Sequence, residues 1–213
     1  MQQLTLLRAL GACVAVALAT YAGLSFVGDL AQPAFHASDL FLGRSPAPGA
    51  PSAGLAARLS LNGDLLADAA AVKAAKPLGT PGNAEDNTNA QDAVVAALDI
   101  SPIRPALWLA LGQLRTGSSA AVAPALKMSY LTGTVPVEVA LARLQAVTST
   151  PAALDEEVKL LAQSDVRATL ANGSHFQAPL IGVYVKATAA GKALLLDATR
   201  SIDPKFNATL QRY

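Results

Sequence analysis

The chain has 213 residues, 52% hydrophobic and 15% charged, and its 16 basic and 15 acidic side chains leave a net charge of +1. An apolar, charge-poor composition excludes intrinsic disorder, and the near-neutral balance excludes a broad electrostatic footprint for nucleic acid. A single cysteine, Cys13, excludes a disulfide framework within the chain, and two histidines, His36 and His175, argue against a histidine-rich metal site.

Residues 1–8 end on Arg8, and residues Ala9 to Val27, ALGACVAVALATYAGLSFV, carry no charge. As a helix they extend for roughly 28 Å, close to the hydrocarbon thickness of a bilayer. The segment 9–28 is therefore expected to be a transmembrane signal anchor. The alternative is a signal peptide cut after Ala17-Leu18-Ala19, which fits the small-x-small pattern. With Arg8 before the segment, the positive-inside rule puts residues 1–8 in the cytoplasm and the body across the membrane. The alanine-rich composition points to a bacterial inner membrane with the body in the periplasm, or to a soluble periplasmic protein if the segment is cleaved. Cys13 stands where a lipobox cysteine would, but most of the apolar stretch follows it, so it reads as a small apolar residue of the helix. Gly11, Ala15, Ala19 and Gly23 recur every four residues, a spacing that lets two membrane helices approach closely.

Residues 29–54 read as a Pro/Ala-rich linker, because Pro46, Pro48 and Pro51 alternate with small residues. Phe35 and His36 read as ordinary members of it. Residues 55–213 read as one all-α body. Leu55 to Ala75 is helix-prone with a break at Asn62-Gly63, and Lys76 to Asn89 reads as a long turn-rich loop. From Ala90 onward the pattern is helical, with breaks at Ser101-Pro102, Thr116-Gly117-Ser118, Thr132-Gly133-Thr134, Ser149-Thr150-Pro151 and Asn172-Gly173-Ser174. Thr150 is expected to cap a helix that starts at Pro151. The β-branched stretch Leu180 to Val185 has no second strand to pair with, so it reads as a buried helix.

Residues Ala97 to Gly112, ALDISPIRPALWLALG, carry a motif. Trp108, Leu111 and Gly112 make a W-x-x-L-G opening, and Pro102 and Pro136 are one 34-residue repeat period apart. Ala90, Val94 and Ala97 precede Pro102 at packing positions, and Met128 takes the bulky position of the following helix. The stretch Ala90–Pro136 resembles tetratricopeptide repeats, over about one and a half repeats. It departs from the family at Pro124 and Leu131, and no first helix precedes Ala90 if Lys76 to Asn89 is a loop. The resemblance implies stacked helix hairpins. It places Leu109, Gln113 and Thr116 on a concave, partner-binding face. The lysine and asparagine with which some members clamp a peptide carboxylate are missing from those positions.

No phosphate loop, dinucleotide-binding glycine pattern or G-x-S-x-G elbow is present, and no cofactor is expected. Ser174 and His175 are sequence neighbours, which is not the facing geometry of a catalytic pair. Asp155, Glu156 and Glu157 suit the first turn of a helix, and Asp165 and Arg167 read as a solvated face. The leading expectation is a membrane-anchored adaptor that binds a protein partner and is not an enzyme. By analogy, such proteins serve cell-envelope or surface-polysaccharide assembly. The alternatives are an exported enzyme, for which Asp165, Arg167 and His175 should converge in one pocket, and a homo-oligomer built through the membrane helix.

Overall fold

A computed structural model describes residues 2–30, 35–46, 63–80, 83–116 and 119–213. Among them every regular element is helical. Among the described residues the α-helices are α1 Gln2–Leu30, α2 Gly63–Gly79, α3 Ala84–Ile100, α4 Pro105–Leu114, α5 Ser119–Leu131, α6 Val137–Thr148, α7 Glu156–Ala171, α8 Gln177–Lys186, α9 Ala189–Ile202 and α10 Pro204–Leu210. Three short 3-10 turns stand at Ala37–Phe41, Pro151–Leu154 and Ser174–Phe176. Pro48, Pro51, Leu55 to Asn62, Gly117 and Ser118 lie outside the described residues.

Consecutive helices pair as hairpins: α2 with α3, α4 with α5, and α6 with α7. The short connections make each pair antiparallel. The first helices adjoin in the order α2, α4, α6; α8 and α9 pack against the last hairpin, and α10 packs on α8 and α9. Alanine explains the close fit of the first pair. Ala67, Ala70 and Ala74 of α2 are buried with Ala90, Val94 and Ala97 of α3 in one core cluster. Helix α4 belongs to two cores. Its Leu107, Leu111 and Leu114 join that cluster, and its Leu109 joins a larger one that continues through α5 to α10. At Gly112 an added Cβ meets Leu126 Cδ2 at 2.8 Å, which sets the approach of α5 to α4. Trp108 is half-buried, and its indole N–H donates to the Pro102 carbonyl at 2.8 Å, pinning the turn between the two hairpins.

Several sequence expectations need correction. Lys76 to Asn89 is not a loop. Helix α2 runs through Pro77 to Gly79, and α3 starts at Ala84 with Asn83 accepting from the Glu85 amide at 3.0 Å. Proline is tolerated in a final turn, and Asn83 with Glu85 and Asp86 makes a favourable helix start. A first helix therefore does precede Ala90. A short 3-10 turn does start at Pro151 with Thr150 before it, but the Thr150 side chain does not cap it, because its hydroxyl donates back to the Ala146 carbonyl at 2.8 Å. The cap is Asp155, which accepts from the Glu157 and Val158 amides at the start of α7. Leu180 to Val185 lies within α8, with Leu180, Val183 and Tyr184 buried.

The linker expectation fails over its described part. Phe35 is only 5% exposed, and Ala37–Phe41 packs against α2, α4 and α6. Residues 35–46, here termed the strap, thus belong to the body. Helix α1 stands apart from the packing: its described side chains, including Leu10, Val14, Val16, Leu18, Tyr21 and Phe26, are exposed. Gly11, Ala15, Ala19 and Gly23 are also exposed, and nothing lies within 4 Å of a Cβ built at Gly11 or Gly23. Among the described residues no helix is long and apolar enough to cross a membrane. The expected anchor at 9–28 therefore finds no support beyond the helix itself.

Asp165 is not on a solvated face. It is buried and takes a bidentate pair from Arg143, Nε at 2.8 Å and Nη2 at 2.7 Å. Arg143 Nη1 donates to the Ser129 carbonyl at 2.7 Å, and the guanidinium lies 3.8 Å above the Tyr130 ring. Ser129 Oγ in turn donates to the Pro105 carbonyl at 2.8 Å, so α4, α5, α6 and α7 are joined in one polar chain. Burial pushes the Asp165 carboxyl above its ordinary value, and the arginine offsets only part of that cost. Burial and the neighbouring carboxylate push the Tyr130 hydroxyl well above its ordinary value too.

Arg143→Met is expected to cost about 3–5 kcal/mol because it strands a buried carboxylate, whereas Arg143→Met with Asp165→Leu recovers most of that loss. Denaturant unfolding of the three proteins checks this, and equal losses in the single and double variants would contradict it. At the start of α9, Thr188 donates its amide and its hydroxyl to the Thr148 carbonyl, at 2.9 and 3.0 Å, and a Cβ on Gly191 would collide with that same carbonyl. Gly191→Ala is expected to destabilise by about 2–4 kcal/mol. Gly182→Ala, in open space within α8, should stabilise by about 0.5–1 kcal/mol, as read by thermal unfolding.

Candidate functional site

The face formed by α2, α4 and α6 carries the features best suited to binding. On α2, Asp64, Asp68, Val72, Ala75 and Gly79 recur at three- and four-residue steps and so share one side of the helix. The strap crosses this face and leaves a cleft on either side. One cleft, of about 390 Å³, is walled by His36 and Ser38 of the strap, Asp64 and Asp68 of α2, Arg104 and Pro105 at the start of α4, and Thr134 to Pro136 before α6. The other, of about 530 Å³, lies between Leu40 to Pro46 of the strap and Val72, Lys76, Gly79 and Gln113.

The strap holds its own shape. The buried Asp39 carboxylate accepts from the His36 amide at 2.8 Å and from Arg44 Nη1 at 2.8 Å. The Leu42 and Arg44 amides donate to the Asp39 carbonyl, and Gly43, at φ +69°, turns the chain in the left-handed region that glycine tolerates. Attachment to the body is partly apolar. Ala37 and Leu40 pack against the first core cluster, and Phe41 packs against the second. It is also polar at one point: His36 Nδ1 lies 3.2 Å from both oxygens of Asp68. Asp68 is buried, whereas the His36 side chain is 65% exposed. Burial pushes the Asp68 carboxyl above its ordinary value, and the hydrogen bond and charge of His36 pull it part of the way back. Arg104 pairs with Asp64 and donates Nε to Ser101 Oγ at 3.1 Å.

Of the three residues placed on a concave face by resemblance, Gln113 borders the strap cleft, and with Thr116 it lines a third cleft of about 290 Å³ beside Asn87, Gln145 and Ser149. Leu109 must be withdrawn from that set. It is 0% exposed, inside the cluster against which the strap residue Phe41 packs. Ala90, Val94, Ala97 and Leu111 are buried, Met128 is half-buried, and Pro102 and Pro136 are exposed at the helix boundaries. Asp165 is spent on Arg143, and Arg167 and His175 are exposed, the imidazole tilted against the Phe176 ring. These three line none of the clefts described above. Among the described residues no cluster of His, Cys, Asp and Glu is arranged to hold a metal ion.

Sequence reasoning missed His36, Asp64, Asp68 and Arg104. Asp68 had left a signal. It shares a helical stripe with Leu65 and Val72, and a charge on an apolar stripe requires a partner. Arg143, on the stripe of Val139 and Val147, left the same signal.

The raised value of Asp68 has a defined sign. The folded chain holds that proton more tightly than the unfolded chain, so the group's contribution is fully present below the ordinary aspartate value and is lost as pH rises through the raised one. The unfolding free energy of the wild type minus that of Asp68→Asn is therefore expected to fall across that interval. A difference that is flat or rises with pH would contradict the burial account. Compared with protein families, curated proteins and solved structures, the chain matches none of them significantly.

Proposed function

We propose that the chain is an adaptor: a body of stacked helix hairpins that binds a segment of a protein partner on its α2/α4/α6 face, tethered to a membrane by residues 9–28. The observation that carries this reading is the strap. A stretch of polypeptide that belongs to no hairpin lies across the first helices of three of them, with a cleft open on each side. A face that accommodates one short segment has the shape and the apolar pockets to accommodate another. Support for the tether comes from α1, whose exposed leucines, valines and aromatics cover a helix that nothing in the body shelters. Stacked hairpins, which bury their faces only against one another, also suit the tetratricopeptide-like reading of Ala90–Pro136.

The test uses full-length protein with a C-terminal tag, in native membranes washed with alkaline carbonate and then mildly crosslinked. The expected result is retention in the washed membranes and a near-stoichiometric partner whose crosslinks map to Val72, Gln113 or Thr116. Val72→Glu with Gln113→Glu should abolish the partner and leave membrane retention unchanged. Loss of the protein in the carbonate wash would overturn the tether. The absence of any crosslinked partner would overturn the adaptor.

A further inference from the structure

The two ends of the hairpins are built from different residues. At one end the junction of α3 and α4 reads ISPI, residues 100–103, and the junction of α5 and α6 reads LTGTVPV, residues 131–137. Neither junction carries a charge. They are neighbours in space: Ser129 Oγ donates to the Pro105 carbonyl, and a Cβ on Gly133 would lie 3.9 Å from Pro105 Cγ. The start of α2 is there too, because a Cβ on Gly63 would meet Ser101 Cβ at 2.9 Å. Ile103 is 73% exposed and Leu131 is 58% exposed, and Ile100 is exposed as well. The charged residues that flank the two junctions in sequence belong to helices or their caps. They are Asp99, Arg104, Lys127 and Glu138, and of these Arg104 pairs with Asp64 and Lys127 with Glu157.

The junctions at the other end are charged. Lys76, Glu85 and Asp86 flank the one between α2 and α3, Arg115 follows α4, and Asp155, Glu156 and Glu157 open α7. Ser149, which precedes that acidic run, shares a cleft with Pro77, Asn87 and Thr116, so these junctions gather as well. An exposed apolar side chain gains by leaving water, whereas a charged group loses its hydration. The two ends therefore differ in the surroundings that suit them.

The chain from α1 enters at the uncharged end. His36 lies against Asp68 and shares a cleft with Arg104, Pro105 and Thr134 to Pro136. Only residues 31–34 separate α1 from Phe35, which is buried in the body. The five residue steps from Leu30 to Phe35 span at most roughly 18 Å. The charged end lies a helix length further on, about 25 Å for the 17 residues of α2. If α1 is held in a bilayer, so short a link presents the uncharged end to its surface.

We propose that this end of the hairpins is a lipid-contact surface, with Ile103, Leu131 and Ile100 entering the interfacial layer of the bilayer that holds α1. The proposal rests on the tether of the adaptor reading and adds where the body sits on the membrane. Helices α2, α4 and α6 then stand upright on the bilayer. The strap face stays open along its length to a partner, and the charged junctions face water.

The experiment uses the full chain with Cys13→Ser, in phosphatidylcholine and phosphatidylglycerol vesicles in which some lipids carry a nitroxide high in the acyl chain. An environment-sensitive fluorophore is attached at Ile103→Cys, at Leu131→Cys or, at the charged end, at Ser149→Cys. All three positions are exposed, and Ile100→Cys is the substitute reporter should one of the first two fail to fold. The labels at 103 and 131 are expected to shift to the blue and to lose intensity to the nitroxide, while the label at 149 does neither. Adding Ile103→Asp should weaken the quenching at 131 and leave the protein floating with the vesicles. Three results obtained with vesicle-bound protein would each overturn the lipid contact and spare the tether: labels at 103 and 131 that stay unquenched, equal quenching at 149, and quenching at 131 that Ile103→Asp leaves unchanged. Protein that does not float with the vesicles would overturn the tether and the lipid contact together.

Discussion

Helix α4 cannot be stable with either side in water. Its leucines project in opposite directions, Leu107, Leu111 and Leu114 into one core and Leu109 into the other. An all-round apolar helix must be enclosed, and the rest of the fold is the enclosure. The α2/α3 hairpin covers one side and α5 with the C-terminal helices covers the other. The gap left along α2, α4 and α6 is crossed by the strap. Removing either helical layer exposes α4, so the hairpins are not independent units that happen to touch.

Three charged contacts show how the same residue types serve different ends at different depths. Arg143 and Asp165 are both buried, bidentate and supplemented by the Ser129 carbonyl, which fixes the register of α5, α6 and α7. Asp39 is buried but its partner Arg44 is mostly exposed, so that pair folds the strap and little else. Asp68 is buried opposite an exposed imidazole, in the least favourable of the three geometries. An exposed or half-exposed pair contributes about 0–1 kcal/mol. The permanent contact lies deep, and the contact that lies at the edge of a cleft is the weak one.

Much of the fold was legible because helix boundaries are local. Ser101-Pro102, Thr132-Gly133 and Asn172-Gly173 break the chain where the residues themselves disfavour helix, and the helices end there. The last turn of α2 and the start of α3 were obscured because Pro77, Gly79 and several asparagines look like a loop, although Pro77 and Gly79 fall in a last turn and Asn83 caps the next helix. The candidate face was less legible, because it is assembled from α2, α4, α6 and a segment some thirty residues away (His36 to Asp68 is a separation of 32). Composition marked 29–54 as a spacer. Only tertiary structure reveals that Phe35 is buried and that Phe41 has an apolar surface to meet.

The internal bonding of the strap has a kinetic consequence. Its turn is closed by Asp39, Arg44 and Gly43 without help from the body. A segment that is already shaped when it leaves a surface loses little chain entropy on returning. Were the strap lifted from the body, its return would resemble the docking of a preshaped segment rather than a folding event.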